Sequence, residues 1–178
     1  GIAILGGGGY NIYFNSVNIS DNRTTTSSAD LHAAMYIASG VTNINMRNNA
    51  FSMTALPGNL TTGKTYGIYS LSANTAFTTI NYNDFYAPGT SNRFAGFLTS
   101  DRTTLADIQT GFGQNVNSLV ADPLFNSNTN LVPQIGSPLT AVGDNSTGIT
   151  IDYNGVTRTN PPTIGAYDVP VDAAAPVI

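Results

Sequence analysis

Ten Asp, six Lys or Arg and one His are the charged and imidazole side chains from which this 178-residue chain could build a reactive site. Every carboxylate is an Asp, and Lys64 is the only lysine. Cleaving a glycosidic bond by acid–base chemistry needs two carboxyl groups facing that bond, and a calcium site needs several carboxylates gathered together. No two Asp are adjacent, and no Gly-His-Gly segment occurs. The best local pair is Arg47 with Asp84, two residues that an internal repeat sets near one edge on neighbouring passes of the chain. A solvated ion pair is the simpler reading of it. Asp101, Arg102 and Asp107 fit a helix start, where negative charge is favoured. Asp122, before Pro123, reads as a turn carboxylate, and Asp152 with Arg158 as the fixings of a closing hairpin. His32 has no Ser or Cys partner at a recognisable spacing, so no triad is supported. Gly6 to Gly9 could cradle a phosphate, but neither Lys-Ser/Thr nor a helix follows; a tight corner explains them better. The reading assigns no catalytic residue, no metal ligand and no cofactor.

These residues are positioned by a repeat centred on Asn43-Ile44-Asn45-Met46-Arg47-Asn48-Asn49-Ala50-Phe51-Ser52-Met53. Shifted by 34 positions, Ile12, Met46 and Ile80 coincide, as do Asn15, Asn49 and Asn83, and Val17, Phe51 and Phe85. Ile2 to Leu5, Ala34 to Ala38 and Tyr66 to Leu71 recur as short apolar strands before the Asn-centred ones. A fixed period in the range of roughly 20 to 50 residues indicates stacked repeating units. Asn15, Asn49 and Asn83 would then occupy one bend in successive turns, where Asn tolerates a left-handed backbone. Their amides could bond one another in a ladder. Among the tyrosines, Tyr13, Tyr82 and Tyr86 are candidates to stack on sugar rings, although Tyr equally suits a half-buried strand face.

Composition agrees with strands. Only 9% of residues are charged, against roughly 25% in ordinary globular domains, and Thr, Tyr, Val and Asn stand where helix formers usually do. A net charge of −4 without a basic cluster disfavours nucleic acid and anionic membranes. No run approaches the 18 or so apolar residues of a membrane span. With no Cys, the chain has no disulfide framework.

Past Pro88-Gly89 the repeat breaks. Thr104 to Asp107 spells a capping box, predicting a short helix near 104–110 that Gly111 and Gly113 end. Asn154-Gly155 predicts a two-residue hairpin turn that would cap the last strands. The order Leu105-Ala106-Asp107, Gly113 to Ser118, Ala121 to Phe125, Gly136 to Leu139, Asp152 to Arg158 and Ile164 to Asp168 resembles the ending of right-handed parallel β-helix (pectin-lyase-like) repeat proteins. These are secreted or cell-surface proteins of Bacteroidota and relatives. The resemblance implies an all-β solenoid over residues 1–168, with rungs of about 34 residues. Residues 169–178 read as a linker into a following module, whose opening resembles an immunoglobulin-like strand.

These readings point to a non-catalytic extracellular segment of a larger protein that serves as a stalk, adhesin or assembly module. Two alternatives stay open: the end of a polysaccharide lyase or hydrolase with its active rungs upstream, or a subunit of an extracellular filament. Expected partners are polysaccharides or other surface proteins, with self-association through strand edges.

Overall fold

Residues 1–22, 31–57, 61–88 and 92–169 are described by the computed structural model. The period of 34 reappears in it as strand register. Three passes of the chain each lay down three strands: β1 (Ile2–Ile4), β2 (Gly8–Tyr13) and β3 (Ser16–Ile19); β4 (Leu31–Ile37), β5 (Thr42–Arg47) and β6 (Ala50–Met53); β7 (Lys64–Ser70), β8 (Phe77–Asn81) and β9 (Asp84–Tyr86). Like pairs with like, in parallel. Ile12 faces Met46 and Met46 faces Ile80, while Val17 faces Phe51 and Phe51 faces Phe85. The first sheet keeps a shorter step, with Ala3 opposite Tyr36 and Tyr36 opposite Tyr69. A fourth pass supplies only β10 (Arg93–Leu98), which the short β11 (Ser100–Arg102) pairs antiparallel.

Alternation sends one face of each strand inward. On β5, Ile44 and Met46 are buried while Asn45 and Arg47 are half-exposed. With Ile37, Phe51, Ile68 and Phe85 they form a core between the sheets. The helix α1 (Leu105–Phe112) packs Ile108 and Phe112 against that core, and the Phe112 ring meets Phe77 edge-on at 5.4 Å. Gly96 makes this fit: a Cβ there would lie 2.6 Å from Ile108 Cδ1. Thr104 caps the helix as its sequence predicts, with both arms of the Thr104–Asp107 box present. Gly113, at φ 73°, ends it. Gly111 lies inside the helix instead, where a Cβ would press on the Arg102 guanidinium.

The expectation of an all-β right-handed parallel β-helix solenoid is corrected. The chain is mixed α/β, with about 37% strand and 9% helix, and its parallel strands lie in three separate sheets, none closed or solenoid-like. A period specifies which residues pair, and that part of the pattern is real. It does not specify how sheets join, and parallel strand pairing ends with β10. Residues 113–169 hold only isolated bridges and one short 3-10 turn. The Asn154-Gly155 hairpin is a tight turn closed by a single antiparallel bridge, Ile151 to Thr157. The linker expected over 169–178 falls, from residue 170 on, outside the described residues.

Candidate functional site

Each sheet-to-sheet bend between the second and third strands of a pass carries one of the three Asn. Asn15 gives its main-chain N–H and its side-chain amide to Asn49 Oδ1, at 3.0 and 2.8 Å. Asn49 repeats both bonds to Asn83 Oδ1, at 3.1 and 2.8 Å. The column ends when the Asn83 N–H meets the Ser118 hydroxyl at 3.0 Å. The left-handed residue at each bend is the one before the Asn: Phe14 (φ 55°), Asn48 (φ 60°) and Tyr82 (φ 56°). The ladder Asn is therefore needed for its amide, not for its tolerance of positive φ.

Beyond the third pass, side chains stand in for strands. Gln114, 34 residues after Ile80, accepts the Ile80 N–H through Oε1 at 3.0 Å. Its amide nitrogen donates to the Phe77 carbonyl at 3.2 Å. Leu119 then pairs with Asp84 in a single parallel bridge.

Arg47 and Asp84 are not brought together. Arg47 Nη1 pairs with Asp144 Oδ2 at 2.6 Å and donates to the Ser146 hydroxyl at 2.7 Å; Nη2 reaches the Tyr13 hydroxyl at 3.2 Å. Burial works against the Asp144 carboxylate, but the Ser146 N–H and hydroxyl and the Arg47 charge hold its pKa below the ordinary value. Asp84 is fully buried. Its Oδ1 accepts the Ala121 N–H at 3.0 Å, while among the described residues Oδ2 has no hydrogen-bond partner. Burial pushes its pKa up to about 8, which favours the protonated carboxyl. Asp107 serves the helix start, but Asp101 turns to Lys64 and the Tyr66 hydroxyl, at 2.5 and 2.8 Å. Asp122 accepts the Leu124 N–H at 2.9 Å, as a turn carboxylate does.

The C-terminal loops return across the bends. Asn48 Oδ1 accepts the Asp144 N–H at 2.7 Å, and the Asn48 amide donates to the Asp144 carbonyl at 2.6 Å. The Gly165 N–H bonds to the Asn48 carbonyl at 2.8 Å, and the Ala166 N–H to the Ser16 hydroxyl at 2.9 Å. Asp152 holds the terminal turn, accepting from the N–H groups of Asn154, Val156 and Asp168. Asp168 in turn accepts from Thr159 and Thr163. Arg158 lays its guanidinium over the Phe14 ring, 3.7 Å from the centroid. Its Nε and Nη2 donate to the carbonyls of Ile151 and Ala166. Burial lowers its pKa, against the pull of Asp168 and Asp152.

This return leaves a cleft of about 450 Å³ between the bend at Phe14 and the terminal loops. Of the tyrosines singled out from the sequence, Tyr13 lines that cleft and Tyr86 lines two others, while Tyr82 sits half-buried at its bend. They form no common platform. Sequence reasoning missed Phe14 and Asn48, although both hold the 34-residue register one step before the Asn. It also missed Asp144, Asp168, Tyr153 and Tyr167, which carry no periodic signal.

Among the described residues no group of three His, Cys, Asp or Glu could hold a metal ion, and no helix is long and apolar enough to cross a membrane. No family model matches the chain, and no curated protein or solved structure matches it.

Proposed function

We propose that this chain is a non-catalytic segment of an extracellular or cell-surface protein, serving as a rigid stalk, adhesin or assembly module. The observation that supports it most is where the charged groups are spent. Arg47 and Asp144 tie a loop to a strand, Asp107 caps a helix, Asp152 and Asp168 bind terminal main chain, and Asp84 is sealed from solvent. General acid–base work needs a carboxyl within hydrogen-bond reach of a substrate, and each of these already serves the fold. The motif order from Leu105 to Asp168, which resembles the ending of secreted proteins, supports the extracellular placement.

The test is a panel of polysaccharides incubated with the protein, scored for depletion of protein onto the polymer and for new chain ends in solution. Depletion without new chain ends is expected. New chain ends that persist through repurification would overturn the reading in favour of a lyase or hydrolase. A second reading, assembly through strand edges, is favoured by β1, β2 and β3, each of which pairs with one strand only among the described residues. Sedimentation velocity over a concentration series separates it from the first.

A further inference from the structure

We infer that the cleft between the Phe14 bend and the terminal loops is a binding site for a neutral pyranose ring at the end or branch of a glycan. The inference rests on the adhesive reading above and names the surface and ligand class it would use. At about 450 Å³ the cleft falls within the roughly 300–1,000 Å³ of small-ligand sites.

Its walls suit a ring with one apolar face and a polar rim. Tyr153 is 78% exposed, and its ring meets that of Tyr167 edge-on, with centroids 5.5 Å apart and planes at 71°. An edge-on neighbour keeps the exposed ring upright without covering both its faces. The Tyr153 ring offers an apolar face with a polar tip, which the C–H face and hydroxyl rim of a sugar complement. Tyr13 enters from the other side with its hydroxyl fixed, donating to Asn11 Oδ1 at 2.9 Å and accepting from Arg47 at 3.2 Å. That hydroxyl keeps a free lone pair for a sugar hydroxyl.

Arg158 supplies the second argument. It lines the cleft with two of its nitrogens committed to carbonyls, and among the described residues its buried Nη1 has no hydrogen-bond partner. A buried donor left unmet is unfavourable, so a small adjustment that gives Nη1 an acceptor oxygen is favoured. An anionic ligand is the less suited occupant. Asp152 lines the same cleft, and Asp152 and Asp168 both act on the Arg158 charge, so an approaching carboxylate meets no net positive field.

The experiment is saturation-transfer NMR on the intact 178-residue chain, with neutral oligosaccharides (cello-, xylo-, manno- and malto-series) and oligogalacturonate as probes. At least one neutral series should bind, with a Kd that Tyr153→Ala weakens about tenfold and Ile135→Ala, at an exposed position outside the cleft, leaves unchanged. Tyr153 is exposed, so its variant should melt like the parent; Tyr167→Leu, which removes the edge-on ring and keeps an apolar side chain, serves as the second variant. No transfer from any neutral probe, binding indifferent to both variants, or tighter binding of oligogalacturonate than of every neutral probe overturns the inference. The same tubes are assayed for new reducing ends. Their appearance would defeat the non-catalytic reading while leaving a Tyr153-dependent cleft intact, so the two failures are distinguishable.

Discussion

Asn49 Oδ1 takes two hydrogen bonds from one residue, Asn15, through both its main-chain N–H and its side-chain amide. Asn49 makes the same double gift to Asn83. Removing the middle side chain takes the acceptor from both Asn15 donors and the donor from the carbonyls of Ile12 and Arg47, although the residue-49 N–H still reaches Asn83 Oδ1. Asn49→Ala should cost about 3 kcal/mol, from two or more lost bonds at about 1–3 kcal/mol for each group left unmet. Asn15→Ala, half-buried at the outer pass, should cost less than half as much. Urea denaturation at matched pH measures both, and equal losses would contradict the column as a cooperative unit.

Asp84 gives a pH signature. Its folded pKa is raised to about 8 from an ordinary 3.8, so the folded state holds a proton that the unfolded chain has released between those values. The stability it contributes is full below about pH 4 and is lost as pH rises toward 8. Asp144 and Asp152 are held below the ordinary value, so their contribution is lost only as pH falls beneath that window. The melting temperature should fall from pH 5 to pH 8 and should be flatter in Asp84→Asn. Parallel profiles for the two proteins would exclude Asp84 as the source.

The helix start is a local device, and its removal should have a local cost. Thr104→Ala deletes the acceptor for the Asp107 N–H and should lose about 1 kcal/mol. Thr104→Ser should restore most of it. Chemical denaturation of the three proteins checks the order.

Asn48 does two jobs that a pair of substitutions separates. Its backbone is left-handed, and its amide clasps Asp144 in both directions. Asn48→Gly keeps the backbone and loses the clasp; Asn48→Ala loses both. Limited proteolysis within residues 142–149 should accelerate in both variants, whereas global stability should fall further for Ala than for Gly by about 1 kcal/mol.

Residues that answer to a rule of spacing were legible in the sequence. Ile12, Met46 and Ile80 pair because the sheet stacks at the period at which they recur, and Thr104 to Asp107 caps a helix because that motif needs only four consecutive residues. The same period misled about fold class, because three separate sheets and one continuous coil put the same residues opposite one another. It also misplaced the strained residue by one. The bend takes its positive φ at Phe14, Asn48 and Tyr82, two of them aromatic, a choice that only the surrounding packing can hold. The terminal contacts were illegible for a different reason. Asn48 meets Asp144 across 96 positions and Ser16 meets Ala166 across 150, once each. A single contact leaves no pattern to find.

Gln114 closes one margin of the second sheet with a side chain. Its Oε1 takes the Ile80 N–H and its amide nitrogen donates to the Phe77 carbonyl. A further strand laid parallel on β8 would have to displace both bonds, so the chain's own amide is a full stop that opposes growth of the sheet from that side.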